Sequence, residues 1–342
     1  MSAHHDSAAE QRRRAAADLA LDGRARRPAR TEAEAWASAN IALVKYWGKR
    51  DEALHLPVTG SLSVSMGALG TRTRLRAAES DRLMFNGERL DVDHPRAARM
   101  IRYLDLFRSA DAPGFEVDTR NTLPTAAGLA SSASGFAALA RAMDRLMGWD
   151  LPASALSALA RLGSGSACRS VFDGFVEWAR GARDDGMDSV AAPLTETWPG
   201  LCIGVRIVDA GPKAVGSGEG MRHTVATSPL YASWPAVVER DLAEARAAIG
   251  ERDLERLGRM AEGNAMAMHA TMAAARPSVI YWTAATLETL RAIFECRRNG
   301  IPVYATMDAG PNVKLIFEST HAESLSAAFP GLDIIRPFEK TP

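Results

Sequence analysis

The sequence predicts an α+β fold in two lobes. Strand-like and helix-like runs intermix along the chain without the regular βαβ alternation of a doubly wound sheet. The 342 residues, 47% hydrophobic and 24% charged, suit a globular chain long enough for two domains or one large two-lobed one. The expected division is a mobile N-terminal tail at residues 1–34, an N-terminal lobe at 35–198 and a C-terminal lobe at 199–342. The boundary between the lobes rests only on the turn-forming Trp198-Pro199-Gly200.

The tail is rich in Ala and Arg but is interrupted by Asp6, Glu10, Asp18 and Asp22. A transit peptide is poor in acids and a secretory signal has an apolar core, so the segment reads as a partly helical, mobile extension. Beyond it, Leu83–Leu90 carries Asn86-Gly87, a pair that takes the positive φ angles of a tight hairpin turn. After Pro95, Met100, Ile101, Leu104 and Phe107 recur at helical spacing. A short strand at Gly114–Asp118 and helices at Ser131–Met147 and Pro152–Leu162 follow, then a strand at Val171–Trp178. The second lobe opens with a strand at Leu201–Val208. Ala-, Glu- and Arg-rich helices come next, at about 230–249, 252–271 and 278–299. Strands at Val303–Met307 and Val313–Phe317 then flank Asp308-Ala309-Gly310-Pro311-Asn312.

Composition excludes several classes of function. Lys plus Arg and Asp plus Glu both number 41, so no global field recruits nucleic acid or a membrane surface. Cys168, Cys202 and Cys296 form no Cys-x-x-Cys pair, which argues against a disulfide framework or structural zinc and fits a reducing compartment. The seven His residues are scattered without metal-ligand spacing. No apolar run reaches the roughly 18 residues needed to span a bilayer.

Four segments could carry chemistry. Pro124–Gly135 is a Gly-bearing loop feeding a small-residue helix start, where free backbone N–H groups and the helix dipole favour phosphate. A Ser N-cap with Gly for close packing explains it as well. Gly163-Ser164-Gly165-Ser166-Ala167-Cys168-Arg169 joins hydroxyls and a guanidinium into an anion clamp, or is a loop with one exposed Arg. Lys45-Tyr46-Trp47-Gly48-Lys49-Arg50-Asp51 sets three cations around two aromatics, a diphosphate grip or a solvated face. Asp308–Asn312 places a carboxylate at a strand end, where a general base would be rigidly held, though a plain turn fits equally.

Together and in this order, Asn40–Asp51, Pro124–Gly135, Gly163–Arg169 and Asp308–Asn312 resemble the signatures of mevalonate diphosphate decarboxylases, members of the GHMP small-molecule kinase superfamily. Asp185–Ser189, Gly220-Met221, Asn264 and His269 add smaller matches, and the likeness covers nearly all of the chain past the tail. It implies a GHMP kinase-like fold with an N-terminal α+β lobe bearing the ATP loop and a ferredoxin-like C-terminal lobe bearing the catalytic Asp. It also implies Mg2+ and ATP, a 5-diphosphorylated 3-hydroxy acid as substrate, and isopentenyl diphosphate, ADP, phosphate and CO2 as products. A homodimer is expected on the same ground, and a cytoplasmic location is expected from the cysteine usage. The resemblance assigns Asp308, Lys45, Arg169 and Ser132 to catalysis. Tyr46, Lys49, Ser164, Ser166, Arg169 and Ser217 are assigned to the substrate. Pro124, Ala127, Gly128, Leu129, Ala130, Ser131 and Ser132 are assigned to ATP, with Ser132 also a candidate magnesium ligand.

Three departures stand against that pattern. Val58-Thr59-Gly60-Ser61-Leu62-Ser63 replaces Asn-Ser-Ser-Leu/Ile-Ser, Leu162 stands where a Lys often precedes the Gly-Ser-Gly-Ser loop, and Asp173 replaces a Gly. They are expected to reshape nucleotide or substrate contacts. They also keep two sister activities open, decarboxylation of mevalonate 5-phosphate and 3-phosphorylation of mevalonate. A binding protein without turnover should have lost Asp308 or Lys45, and both are present.

Overall fold

The structure is a computed structural model, and it describes residues 2–108, 114–122, 131–209, 211 and 213–339, without the side chains of residues 2–7 and 131. Helix α1 (Ser2–Leu21) leads into strand β1 (Glu32–Val44), the short pair β2 (Lys49–Asp51) and β3 (Leu56–Pro57), and the long strand β4 (Ser61–Ala78). β5 (Arg82–Phe85), β6 (Glu88–Leu90), helix α2 (Pro95–Leu104) and β7 (Gly114–Asn121) follow. Helices α3 (Ser131–Met147) and α4 (Ala153–Gly163), a 3-10 turn at Gly165–Val171, β8 (Phe175–Trp178) and β9 (Ala191–Pro193) complete the first lobe. The second lobe runs β10 (Leu201–Arg206), α5 (Ser217–Thr227), α6 (Trp234–Glu251), α7 (Leu254–Ala273), α8 (Ala284–Arg298), β11 (Val303–Met307), β12 (Val313–Glu318), α9 (Ala322–Ala328) and β13 (Asp333–Ile335).

The first sheet has the order β6-β5-β7-β4-β8-β9, with β1 also paired to β4, and the second has the order β11-β12-β10-β13. β4 is the spine of the first. Its early residues pair with β8, its later ones with β7, and β1 runs antiparallel along most of it. Register slips between Ser38 and Asn40, where Gly70 comes so close to the Ala37 carbonyl that a Cβ would stand 2.2 Å away. The hairpin at Asn86-Gly87 forms as its sequence predicts, with φ of 51° and 87° at the two turn residues.

The segment expected to be a mobile tail is a packed helix instead. Ala16, Ala17, Ala20 and Leu21 are buried among the side chains of the first lobe's core. Three arginines anchor α1 further, Arg12 to Asp51 at 2.6 Å, Arg13 to the Leu162 carbonyl and Arg14 to the carbonyls of Asp105 and Arg108. Small Ala side chains let the helix lie close, so its weak apolar signal conceals a real packing face. Ala17→Asp buries an uncompensated carboxylate there and is expected to cost about 3–5 kcal/mol, read as a lowered urea midpoint. An unchanged midpoint would show that α1 does not pack.

A second core spans both lobes. Ile41 and Leu43 of β1 and Val64 of β4 meet Ile203 and Val205 of β10, with Trp234, Leu257 and Met268 of the helical layer around them. β1 shows the transition directly, since its first half alternates between faces while its last eight residues are all buried. The chain leaves this wall at Lys45, and β11 delivers Asp308 from the other lobe to the same place.

Candidate active site

Asp308 follows the last residue of β11, fixed on both its backbone and its carboxylate. Its carbonyl accepts from His269 Nε2 at 3.1 Å and from the Gly310 amide at 2.8 Å. Its Oδ1 accepts from Lys45 Nζ at 2.9 Å and its Oδ2 from Lys314 Nζ at 3.2 Å. Both lysines are buried while 27% of the Asp308 side chain faces open space. Burial would raise the Asp308 pKa, but Lys314 and Lys45 override it and hold the carboxyl well below the usual carboxylate range. Burial lowers Lys45, opposed by its bond to Asp308.

The supports come from α7. The Lys45 amide donates to Asn264 Oδ1 at 2.8 Å, and Asn264 Nδ2 donates in turn to Asp241 Oδ2 at 2.8 Å. Lys45 Nζ also donates to the Ala42 carbonyl. His269 stacks on Trp282 with ring centroids 5.0 Å apart, and burial followed by the charge of Lys45 pushes its pKa down to about 4. A neutral ring fixed by its Nε2–H bond locks the Asp308 backbone without adding a third cation.

Asp308 opens into a cavity of about 520 Å³ between the lobes. Every described candidate from the sequence lines it: Lys45, Tyr46, Lys49, Ser132, Ser164, Ser166, Arg169, Ser217 and Asp308. Arg169 is buried and donates to Ser61 Oγ at 2.5 Å and Asn40 Oδ1 at 3.2 Å. Tyr46 stands edge-on to Trp178, and its buried hydroxyl has no partner among the described residues. Gly165 permits that approach, because a Cβ there would stand 2.8 Å from the Tyr46 oxygen. Ser132 Oγ lies 3.3 Å from Ser164 Oγ, joining the start of α3 to the loop after α4. Pro124, Ala127, Gly128, Leu129 and Ala130 lie outside the described residues, as does the side chain of Ser131. A second cavity of about 420 Å³, walled by Phe85, Pro95, Met100, Phe136 and Leu139, shares Ser132 and Arg99 with the first.

Residues 37–191 match the model of the diphosphomevalonate decarboxylase-like N-terminal domain, and residues 203–333 that of the mevalonate 5-diphosphate decarboxylase C-terminal domain. The chain belongs to the diphosphomevalonate decarboxylase family. Diphosphomevalonate decarboxylases of Bos taurus and Homo sapiens are 39% and 38% identical over 85% and 86% of this chain, covering 78% and 79% of those proteins. The mevalonate diphosphate decarboxylase structure of Enterococcus faecalis superposes with a TM-score of 0.83 at 38% identity, over 90% of this chain and 98% of that one. That of Staphylococcus aureus gives 0.84 at 37%, over 90% and 95%. A further similar structure, 39% identical with a TM-score of 0.84 over 90% of this chain and 98% of that one, is a complex with MVAPP, AMPPCP and magnesium. The GHMP kinase-like two-lobed architecture expected of such a decarboxylase is the one found.

The three departures from the decarboxylase pattern stand off the cavity wall. Thr59 is buried, Gly60 sits where a Cβ would come within 3.0 Å of Leu242, and Leu162 is buried in the first core. Asp173 accepts a bond from Ser38 Oγ. None of the four lines the cavity. Sequence reasoning missed Lys314, Lys213, His55 and Arg99. Lys314 carried a usable signal, a lone Lys inside the apolar run Val313–Phe317. Lys213 bonds the Ala309 carbonyl beside Asp308, and burial lowers its pKa.

Proposed function

We propose that this decarboxylase converts mevalonate 5-diphosphate and ATP to isopentenyl diphosphate, ADP, phosphate and CO2. One observation carries the reading: a carboxylate held between two buried ammonium groups faces a cavity that also takes in Arg169, Lys49 and Tyr46. The substrate's 3-hydroxyl would lie at Asp308, its carboxylate toward Arg169, and its diphosphate along Tyr46, Lys49, Ser164, Ser166 and Ser217. Two flanking cations make Asp308 a weak base in the free site, so its first role is to accept the hydroxyl's hydrogen bond and aim the oxygen. Its basicity rises once phosphate charge draws on Lys45 and Lys314. The same lysines, with Lys213, stabilise the charge that develops on the transferred phosphoryl group.

ATP would enter with its base in the apolar second cavity and its phosphates at Ser132, where the two cavities meet. The wall fits a magnesium ion, because the Ser132 hydroxyl is a hard oxygen donor and Mg2+ needs few protein ligands when phosphates supply the rest. Held by Ser132, the ion would supply positive charge that neutralises the phosphates.

The phosphorylation state of the substrate is decided by following ADP and CO2 together with mevalonate, its 5-phosphate and its 5-diphosphate. Equal release of both from the diphosphate alone is the expected result. ADP without CO2, or preference for a less phosphorylated acid, would replace the reading with a sister activity.

A further inference from the structure

Helix α4 points its C-terminal end at the cavity, which is the wrong end to offer an anion. The unpaired carbonyls of a last turn carry the negative pole of the helix dipole. Yet Ser164, the next residue, lines the cavity with Tyr46 and Lys49.

Those carbonyls are occupied one by one. That of Ala160 takes the Ser164 amide at 3.2 Å. That of Arg161 takes His55 Nδ1 at 2.9 Å, that of Leu162 takes the Arg13 guanidinium at 2.8 Å, and that of Gly163 takes Arg99 at 2.9 Å. A carbonyl only accepts, so His55 carries its proton on Nδ1. The donors come from three separate elements: α1, α2 and the turn between β2 and β3. Arg161 returns the bond to that turn by donating to the Leu54 carbonyl at 2.7 Å. Arg13 lies outside the family-matched span of residues 37–191.

We propose that this collar of Arg13, Arg99 and His55 offsets the α4 dipole and sets affinity for the substrate's diphosphate, with Arg13 of the N-terminal helix its outermost positioning residue. Arg13 acts through the Leu162-Gly163 backbone, which places Ser164, and through its charge behind Arg99. The inference rests on the reading of this cavity as the diphosphate site. The electrostatics agree with it. Burial and then Arg102 lower the Arg13 pKa, opposed by Glu10, and burial and then Arg13 lower that of Arg99. Burial, Lys49, Arg13 and Arg99 push His55 down to about 3, despite its bond to the Arg161 carbonyl. Arg13 and Arg99 thus stand as two neighbouring guanidinium charges beside a neutral His55, an arrangement that an anion in the cavity would relieve.

The test compares Arg13→Gln with Arg14→Gln, a control that removes equivalent anchoring bonds of α1 on the side of Asp105 and Arg108. Mevalonate 5-diphosphate and ATP are varied separately, and inorganic pyrophosphate binding is titrated by calorimetry. Arg13→Gln is expected to raise KM for the diphosphate and weaken pyrophosphate about tenfold, with kcat and KM for ATP within about twofold. Arg14→Gln should leave all of these unchanged. Equal behaviour of the two variants overturns the proposal, as does a parallel rise in both KM values. Should Arg13→Gln fail to fold, Arg13→Lys is read instead: a rise of a few-fold in the diphosphate KM supports the collar and no rise overturns it. If the unsubstituted chain does not turn over mevalonate 5-diphosphate, the functional reading fails by itself, and pyrophosphate titration of the same variants decides the collar.

Discussion

Asp308→Asn is expected to lower kcat about a thousandfold while leaving ATP affinity within a few-fold. The amide keeps the shape of the side chain but can neither take a proton nor present a full negative charge to the substrate hydroxyl. It also leaves Lys45 and Lys314 facing each other without a counter-charge, both with side chains only 2% exposed. Two buried ammonium groups beside one amide cost stability, or one sheds its proton, so the variant should unfold at lower denaturant concentration. Binding of a fluorescent ATP analogue separates the two effects. A variant that binds nucleotide normally and does not turn over supports the assignment. Turnover within about tenfold of the parent would remove Asp308 from the chemistry, because general base and electrostatic roles both exceed that factor.

The carboxylate was legible in the sequence, and its environment only in part. Asp308 stood out because Gly-Pro follows it between two apolar runs. Lys45 and Lys49 lay in a run of cations around aromatics. The partners that set the charge state come from far along the chain, and no local pattern announces such a distance. Lys45 and Asp308 are 263 positions apart, and the Lys45 amide reaches Asn264 across 219. Lys314 was the exception, a buried cation in an apolar strand whose meaning was available and missed.

The fold divides the same way. Helices with apolar residues at helical spacing, such as α2 with buried Ala97, Met100, Tyr103 and Leu104, follow directly from the residues. β1 and β4, the two longest strands, did not register as strands. β1 is rich in Ala and buried on both faces in its second half, so period-two alternation disappears where the lobes meet. β4 carries Ser, Gly and Thr through its bend, residues that read as loop when no partner strand is in view. α1 failed for a related reason, since Ala contributes little apolar signal even when wholly enclosed. Small side chains conceal burial, and this chain uses them where elements approach most closely.

Arg169→Lys is the second large effect, and it should divide the reaction. The guanidinium is 3% exposed and spends two donors on Ser61 and Asn40 before any ligand arrives. A lysine ammonium carries the charge but cannot hold both acceptors and face a carboxylate in one plane. If Arg169 orients the substrate carboxylate, phosphoryl transfer at the 3-hydroxyl loses less than the departure of CO2. The expected result is CO2 release slowed about a hundredfold. In a single turnover, ADP should then form ahead of CO2. A purely architectural Arg169 gives a different pattern, in which both KM values rise, the denaturation midpoint falls, and ADP and CO2 stay matched at every time point. Matched release in a well-folded variant would therefore move Arg169 from the substrate carboxylate to the scaffold that holds Ser61 and Asn40.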